Sequence, residues 1–229
     1  MQYAKVIVLV LLSWLGSYAQ TYEIGAFVGG SNLIGDVGST TYINPNSLAG
    51  GLLFKWNRSP RHSFRFSLIR TNLTADDANA DDNRRNERGY AIDNMLTEAS
   101  LGLEFNFWEF DLHKSGTQFT PYLYSGVSYF MASTYQVENE VLVEGSTDRN
   151  FAIPMVFGVK GRIFNHVVLG AEIGARYTFT DGLDGSDTSA TTMNDIPLSF
   201  GNPNTKDWFM FTGITLTYTF GRKPCNCVF

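Results

Sequence analysis

The residues of this chain whose chemistry could matter are three histidines, two cysteines, two acidic loops and one basic turn. His62, His113 and His166 all fall in or beside short polar connectors. Nucleophilic catalysis needs a Ser or Cys within reach of a base that a third group orients. His62 adjoins Ser63, but neighbouring strand residues point to opposite faces, so adjacency does not make a dyad. The stretch TDGLDGSDTSATTMND offers Asp181, Asp184, Asp187 and Asp195, and an earlier one offers Asp76, Asp77, Asp81 and Asp82. Carboxylate oxygens suit Ca²⁺, but neither spacing matches the alternating ligand positions of a calcium loop. Both read as solvated, turn-forming acids. There is no phosphate loop, zinc pattern or dinucleotide fingerprint. The sequence therefore predicts no cofactor, no metal, no small-molecule substrate and no enzyme activity.

The turn KWNRSPRHSFR is more distinctive, with Lys55, Arg58, Arg61, His62 and Arg65 clustered around Pro60. Two readings stand: a belt of cations beside lipid headgroups, or a docking surface for an acidic partner, whose steering salt would weaken. His113 and Lys114, in the connector WEFDLHKSGTQ, fall on the same side, as do Arg222 and Lys223 in the ending GRKPCNCVF. That ending also holds Cys225 and Cys227, too close in sequence for an easy internal bridge. A disulfide to a partner, a strained internal bridge and incidental cysteines all remain open.

The elements that must position these groups are strands. Period-two alternation gives eight runs: Thr21 to Gly29, Leu48 to Trp56, Ser63 to Thr71, Met95 to Phe107, Phe119 to Met131, Phe151 to Ile163, Val167 to Phe179, and Asp207 to Phe220. Most are long enough to cross a bilayer as tilted strands. Long connectors over Gly30 to Ser47, Asn72 to Asn94, Ala132 to Asn150 and Thr180 to Lys206 alternate with short ones. A compact soluble domain rarely holds four such loops. A barrel with short periplasmic turns and long extracellular loops expects them.

Face by face, the charges collect on one side. Glu172 and Arg176 share a face with Gly170, Gly174 and Thr178, while Val167, Leu169, Ala171 and Ile173 share the other. Glu98 and Glu104 stand opposite Leu101, Leu103 and Phe105. Glu23, Lys55, Arg65, Lys160 and Arg162 occupy polar faces of their strands; the fifth strand alternates too poorly to assign. A soluble barrel with charges in water and a membrane barrel with charges in the lumen both fit this pattern. Small Gly, Ser and Thr residues between the charges, and aromatics at strand ends, favour the membrane form. The interior of an eight-stranded barrel is just wide enough for side chains. Its near-balanced acids and bases should pair and plug it, leaving no open pore.

The remaining features set the boundaries. MQYAKVIVLVLLSWLGSYAQ reads as a signal peptide over residues 1–19, cleaved after Ala19, with no following lipoprotein Cys. The barrel is then expected over 20–220 and a periplasmic tail over 221–229. No later run is apolar enough for a membrane helix. With 17 Lys plus Arg against 22 Asp plus Glu, nothing points to nucleic acid.

Several stretches carry a resemblance: YEIGAFVGGSNLIGDVG, INPNSLAGGLLFKWNRSPRHSFRFSL, EASLGLEFNFWEFDL, TPYLYSGVSYF and the ending GRKPC. Across the mature chain the sequence resembles the PorG family, most specifically through Arg58 to His62. PorG proteins are outer-membrane components of the type IX secretion system, which also supports gliding in Bacteroidetes. The resemblance implies a barrel in the outer membrane, among its lipids, that tethers a periplasmic ring built from PorK and PorN. It favours docking for the basic turn and carries over no catalytic motif. A lipid-modifying barrel enzyme and a passive porin or adhesin are the competing functions.

Overall fold

The computed structural model describes residues 21–114, 116–138, 141–180, 183, 184 and 206–221, with side chains for all of these except 134–138, 141–146 and 148. The expected signal peptide, the 19/20 boundary, Asp181, Asp187, Asp195, Arg222, Lys223, Cys225 and Cys227 lie outside the described residues.

Eight strands form one closed antiparallel barrel in sequence order. They are β1 (Thr21–Ile34), β2 (Ser47–Asn57), β3 (His62–Asp76), β4 (Ala91–Asn106), β5 (Phe119–Glu138), β6 (Val141–Phe164), β7 (Val167–Thr178) and β8 (Trp208–Gly221). Closure is made by β1 on β8, paired from Thr21 with Gly221 to Ile34 with Trp208. The last strand thus ends one residue beyond the expected Phe220. A path through register partners runs from Val168 by Thr217, Gly25, Leu53, Ser67, Ser100, Ser128 and Ala152 to Thr178, ten residues further along β7. Such a stagger goes with strands tilted by about 35–45°.

Burial is inverted relative to a water-soluble barrel. Leu48, Leu52, Phe66, Leu101, Phe157, Leu216 and many other apolar side chains face outward, while every charge expected on the polar faces is buried. Aromatic groups crowd both ends of this outer wall. Tyr22 stacks on Phe54 and Phe220, and Trp56 meets Phe64 near the short turns. Tyr177, Phe179 and Trp208 meet near the long loops. This is the outer surface of a bilayer-spanning barrel with its two interfacial girdles. Among the described residues no helix is long and apolar enough to cross a membrane.

Two expected loops carry more structure than alternation suggested. Ala132 to Asn150 is mostly strand: β5 and β6 continue pairing to Glu138 with Val141, past an irregularity between Ser133 and Tyr135. Val137, Val141 and Val143 have the strand preference that the intervening charges obscured. Between Asn72 and Asn94, β3 runs on to Asp76. A 3-10 turn (Asp77–Asn79) and a short helix α1 (Asn83–Arg88) then lead to β4. Asp82 caps α1, and Gly89 ends it in the left-handed conformation (φ 68°).

The fifth strand's faces are now settled. Thr120, Tyr122, Tyr124, Ser128, Phe130 and Ala132 point inward, and Leu123, Val127, Tyr129 and Met131 outward. Three inward aromatics cancel the polarity difference, which is why alternation failed there.

Candidate functional site

The candidate site is the end of the barrel that carries the short turns. There the β2–β3 turn and the β4–β5 connector lock together across the mouth. Asn106 N–H donates to Arg61 O at 2.8 Å, and Phe110 N–H donates to Pro60 O at 3.0 Å. The Asn106 side-chain amide donates to Pro60 O at 3.0 Å. Inside the turn, Arg58 and Ser59 N–H both donate to His62 O. The Phe110 ring is buried beneath this platform, with Lys160 Nζ 4.9 Å from its centroid. Arg162 donates from its side chain to the carbonyls of Leu112, Lys114 and Gly116, holding the far side of the connector.

The platform presents Arg58, Arg61, His62 and Lys114 to the exterior. Arg61 donates to Phe107 O at 3.2 Å and stands 3.8 Å from Glu109, in an exposed ion pair that holds it only weakly. The His62 ring tilts against Phe105, and its Nδ1 lies 3.3 Å from Ser59 Oγ. Ser63 faces the opposite way, into the barrel, and donates to Asn57 Oδ1. His113 is half-buried, its Nε2 3.0 Å from Thr21 Oγ1. Between the two connectors lies a cleft of about 150 Å³, lined by Thr21, Asn57, Arg58 to Pro60 and Phe110 to His113.

Two members of the predicted basic cluster belong elsewhere. Lys55 and Arg65 are 1% and 0% exposed, because their strand positions have lumen parity, and neither can meet a partner. Both contribute instead to the ionic network below the platform. Glu104 receives Lys55 Nζ at 2.8 Å and Lys160 Nζ at 2.6 Å, with Arg65 3.8 Å away. Arg65 forks onto Glu172 at 2.7 and 2.8 Å, and Tyr122 donates its hydroxyl to the same carboxylate at 2.6 Å. The Arg65 guanidinium also lies over the Tyr124 ring. Glu98 and Arg176 form a separate pair at 3.2 Å.

Two charges depart from the expected pairing. Glu23 is buried and takes neutral donors, Asn57 Nδ2 at 2.9 Å and Thr217 Oγ1 at 2.6 Å. Arg162 lies too near the mouth to join the carboxylates and serves the connector carbonyls described above. Charge also fills only part of the interior. Toward the long loops, Phe27, Ile69, Leu73, Leu96, Phe130, Phe209 and Phe211 form an apolar plug. Arg176 marks the boundary, 4.6 Å from the centroid of Phe211.

At the long-loop end, buried Asp77 accepts two hydrogen bonds from Arg88, at 2.8 and 3.0 Å, and the N–H groups of Gly38 and Tyr90. Arg85 donates to Gly35 O and Gly38 O. These bonds fasten the β1–β2 loop to the β3–β4 loop. The Arg84 N–H bonds Asp82 and holds that carboxyl below its usual range. Among the described residues, no three His, Cys, Asp or Glu side chains gather as a metal site.

No curated protein matches the sequence. Solved barrels of similar course include the N-terminal domain of Pseudomonas aeruginosa OprF, at 12% identity and TM-score 0.46, covering 87% of this chain and 97% of that one. Neisserial surface protein A is 12% identical with TM-score 0.49, covering 90% and 99%. The Yersinia pestis attachment invasion locus protein Ail, solved with the heparin analogue sucrose octasulfate, is 9% identical with TM-score 0.49, covering 89% and 100%. The family described as Domain of unknown function (DUF6089) matches residues 2–229, and the chain belongs to that family.

Proposed function

We propose that this chain is an outer-membrane barrel of the PorG kind, a non-enzymatic component of type IX secretion. It anchors or contacts a periplasmic ring of PorK/PorN-like proteins through its short-turn end. The observation that carries the reading is the platform: two connectors bonded across a closed mouth, presenting Arg58, Arg61, His62 and Lys114 beside a cleft edged by His113. A face braced from beneath by Phe110 and an ionic network holds its shape on binding, which suits anchoring. Cations on its rim suit an acidic partner, with an on-rate that salt would lower. Arg222, Lys223, Cys225 and Cys227 follow Gly221, whose strand ends on this side, and belong to the same proposed contact.

The test is charge reversal. Arg58→Glu with Arg61→Glu should sharply reduce recovery of the ring with the barrel, and the difference from wild type should shrink at higher salt. Heat-modifiable gel mobility should be unchanged, because both side chains are exposed. Full recovery of the ring with the double variant would remove the docking role.

A further inference from the structure

On the outer wall of β3 a cation stands at the edge of the apolar band. Along β3 the outward side chains run Phe64, Phe66 and Leu68, and then change to Arg70 and Asn72. Along β4 they run Leu103, Leu101 and Ala99, and then change to Thr97, opposite Arg70 in register. Arg70 therefore stands where the apolar band ends, in the half of the barrel nearer the long loops.

A guanidinium has five donors that fit oxygen acceptors. Among the described residues the partner of Arg70 is Met95 Sδ, at 2.6 Å. A thioether is a weak acceptor. The contrast with the other arginines is plain, since Arg65, Arg88 and Arg176 have carboxylates and Arg162 has carbonyls. Arg70 is exposed, as are the Asn72 amide and, partly, the Thr97 hydroxyl. On its other side Arg70 pairs with Gly50, where an added Cβ would find its nearest neighbour 4.0 Å away. Gly50 lies between Leu48 and Leu52, which are 84% and 64% exposed. Arg70 thus borders a shallow notch with apolar walls.

We infer that this patch binds a phosphorylated lipid of the outer leaflet, its phosphate on Arg70 and an acyl chain in the notch at Gly50. The inference rests on the bilayer-spanning reading proposed above. Guanidinium and phosphate are complementary in charge and in donor geometry. The apolar walls select a lipid over a free ion, because inorganic phosphate would leave Leu48 and Leu52 without a partner. Asp93 stands one outward step beyond Met95, opposite Thr74, and so does not share the Arg70 position.

The full chain, purified in detergent, is incubated separately with bisphosphorylated lipid A, dephosphorylated lipid A and inorganic phosphate, and bound lipid is counted by native mass spectrometry. The wild type should retain lipid A and not its dephosphorylated form. Arg70→Gln should lower retention about tenfold, the scale of one lost charge-assisted contact. Arg70→Lys should restore part of it, and Gly50→Leu should lower it with the cation intact. Equal retention of dephosphorylated lipid, or no effect of Arg70→Gln, overturns the site. Displacement of lipid A by inorganic phosphate alone overturns the lipid assignment. Failure of the folded wild type to enter lipid vesicles removes the bilayer reading and this site with it. Insertion without lipid retention removes only the site.

Discussion

Glu104→Gln tests the sealed lumen directly. The Glu104 carboxylate is wholly buried and receives two lysine ammoniums, at 2.8 and 2.6 Å. Glutamine preserves the volume, so no cavity forms and the change is almost purely one of charge. It removes the carboxylate that Lys55 and Lys160 both contact, and the remaining lumen acids are engaged elsewhere: Glu23, opposite Lys55 in register, by Asn57 and Thr217, and Glu172 by Arg65 and Tyr122. Breaking a buried ion pair costs about 3–5 kcal/mol. Against a typical stability of about 5–15 kcal/mol, that is a large fraction. Glu98→Gln is the internal comparison. It strands only Arg176, whose guanidinium keeps a 3.0 Å bond to Gly174 O and its place over Phe211. Its cost should be smaller, about 1–3 kcal/mol. The assay is urea unfolding of the barrel refolded in vesicles, followed by tryptophan fluorescence and heat-modifiable mobility. A Glu104→Gln cost below about 1 kcal/mol, or one below that of Glu98→Gln, would mean that water reaches these groups. The lumen would then not be sealed.

Two further outcomes follow. Phe110→Ala removes the ring beneath the platform and should cost about 3–5 kcal/mol if the connectors cannot collapse. It should also reduce ring recovery without altering any platform charge; a variant that binds the ring normally would show that the platform needs no brace. Asp77→Ala removes the carboxylate shared by the Arg88 guanidinium and two backbone N–H groups, leaving Arg88 its bond to Asp36 O. It should speed trypsin cleavage at Arg84, Arg85 and Arg88 severalfold while the urea midpoint of the barrel stays put. Unchanged cleavage would show that Asp77 does not fasten the two loops.

The barrel was legible because its two faces differ in charge, and charge is the strongest signal that alternation carries. Glu172 and Arg176 alone fixed the parity of β7, and Glu98 and Glu104 fixed that of β4. The same signal failed wherever the interior turned aromatic, as at Tyr122, Tyr124 and Phe130. The apolar plug was hidden for that reason: Phe209 and Phe211 read from sequence like any other aromatic near a strand end. The brace at Phe110 was also invisible, since one aromatic in a connector of mixed polarity has no period to mark it. Lys55 shows a subtler limit. Proximity in sequence placed it with Arg58 and Arg61, whereas strand parity placed it inside, and parity decided.

The charged half of the lumen also bears on how the strands find one register. A slip of one residue turns every inward side chain outward. In lipid, each Lys or Arg near the midplane costs about 2–4 kcal/mol. Lys55, Arg65, Lys160 and Arg176 sit on β2, β3, β6 and β7, so a slip in any of these strands exposes a cation to the bilayer. An apolar filling would impose no such penalty, because the outward faces are apolar already. The platform depends on that precision. Asn106 reaches Arg61 O and Pro60 O only while β3 and β4 hold the register that sets His62 opposite Phe105. Lysines and glutamates are poor packing material for stability, and replacing a buried ionic set by apolar residues of similar volume is often neutral or stabilising. Lys55→Met, Glu104→Leu and Lys160→Met together should therefore fold at least as stably as the wild type. Their cost should appear as loss of the single register, read as more than one folded band on heat-modifiable gels and as weaker binding of the ring. One sharp band with normal ring binding would show that the ionic network is filler and that the register is set elsewhere.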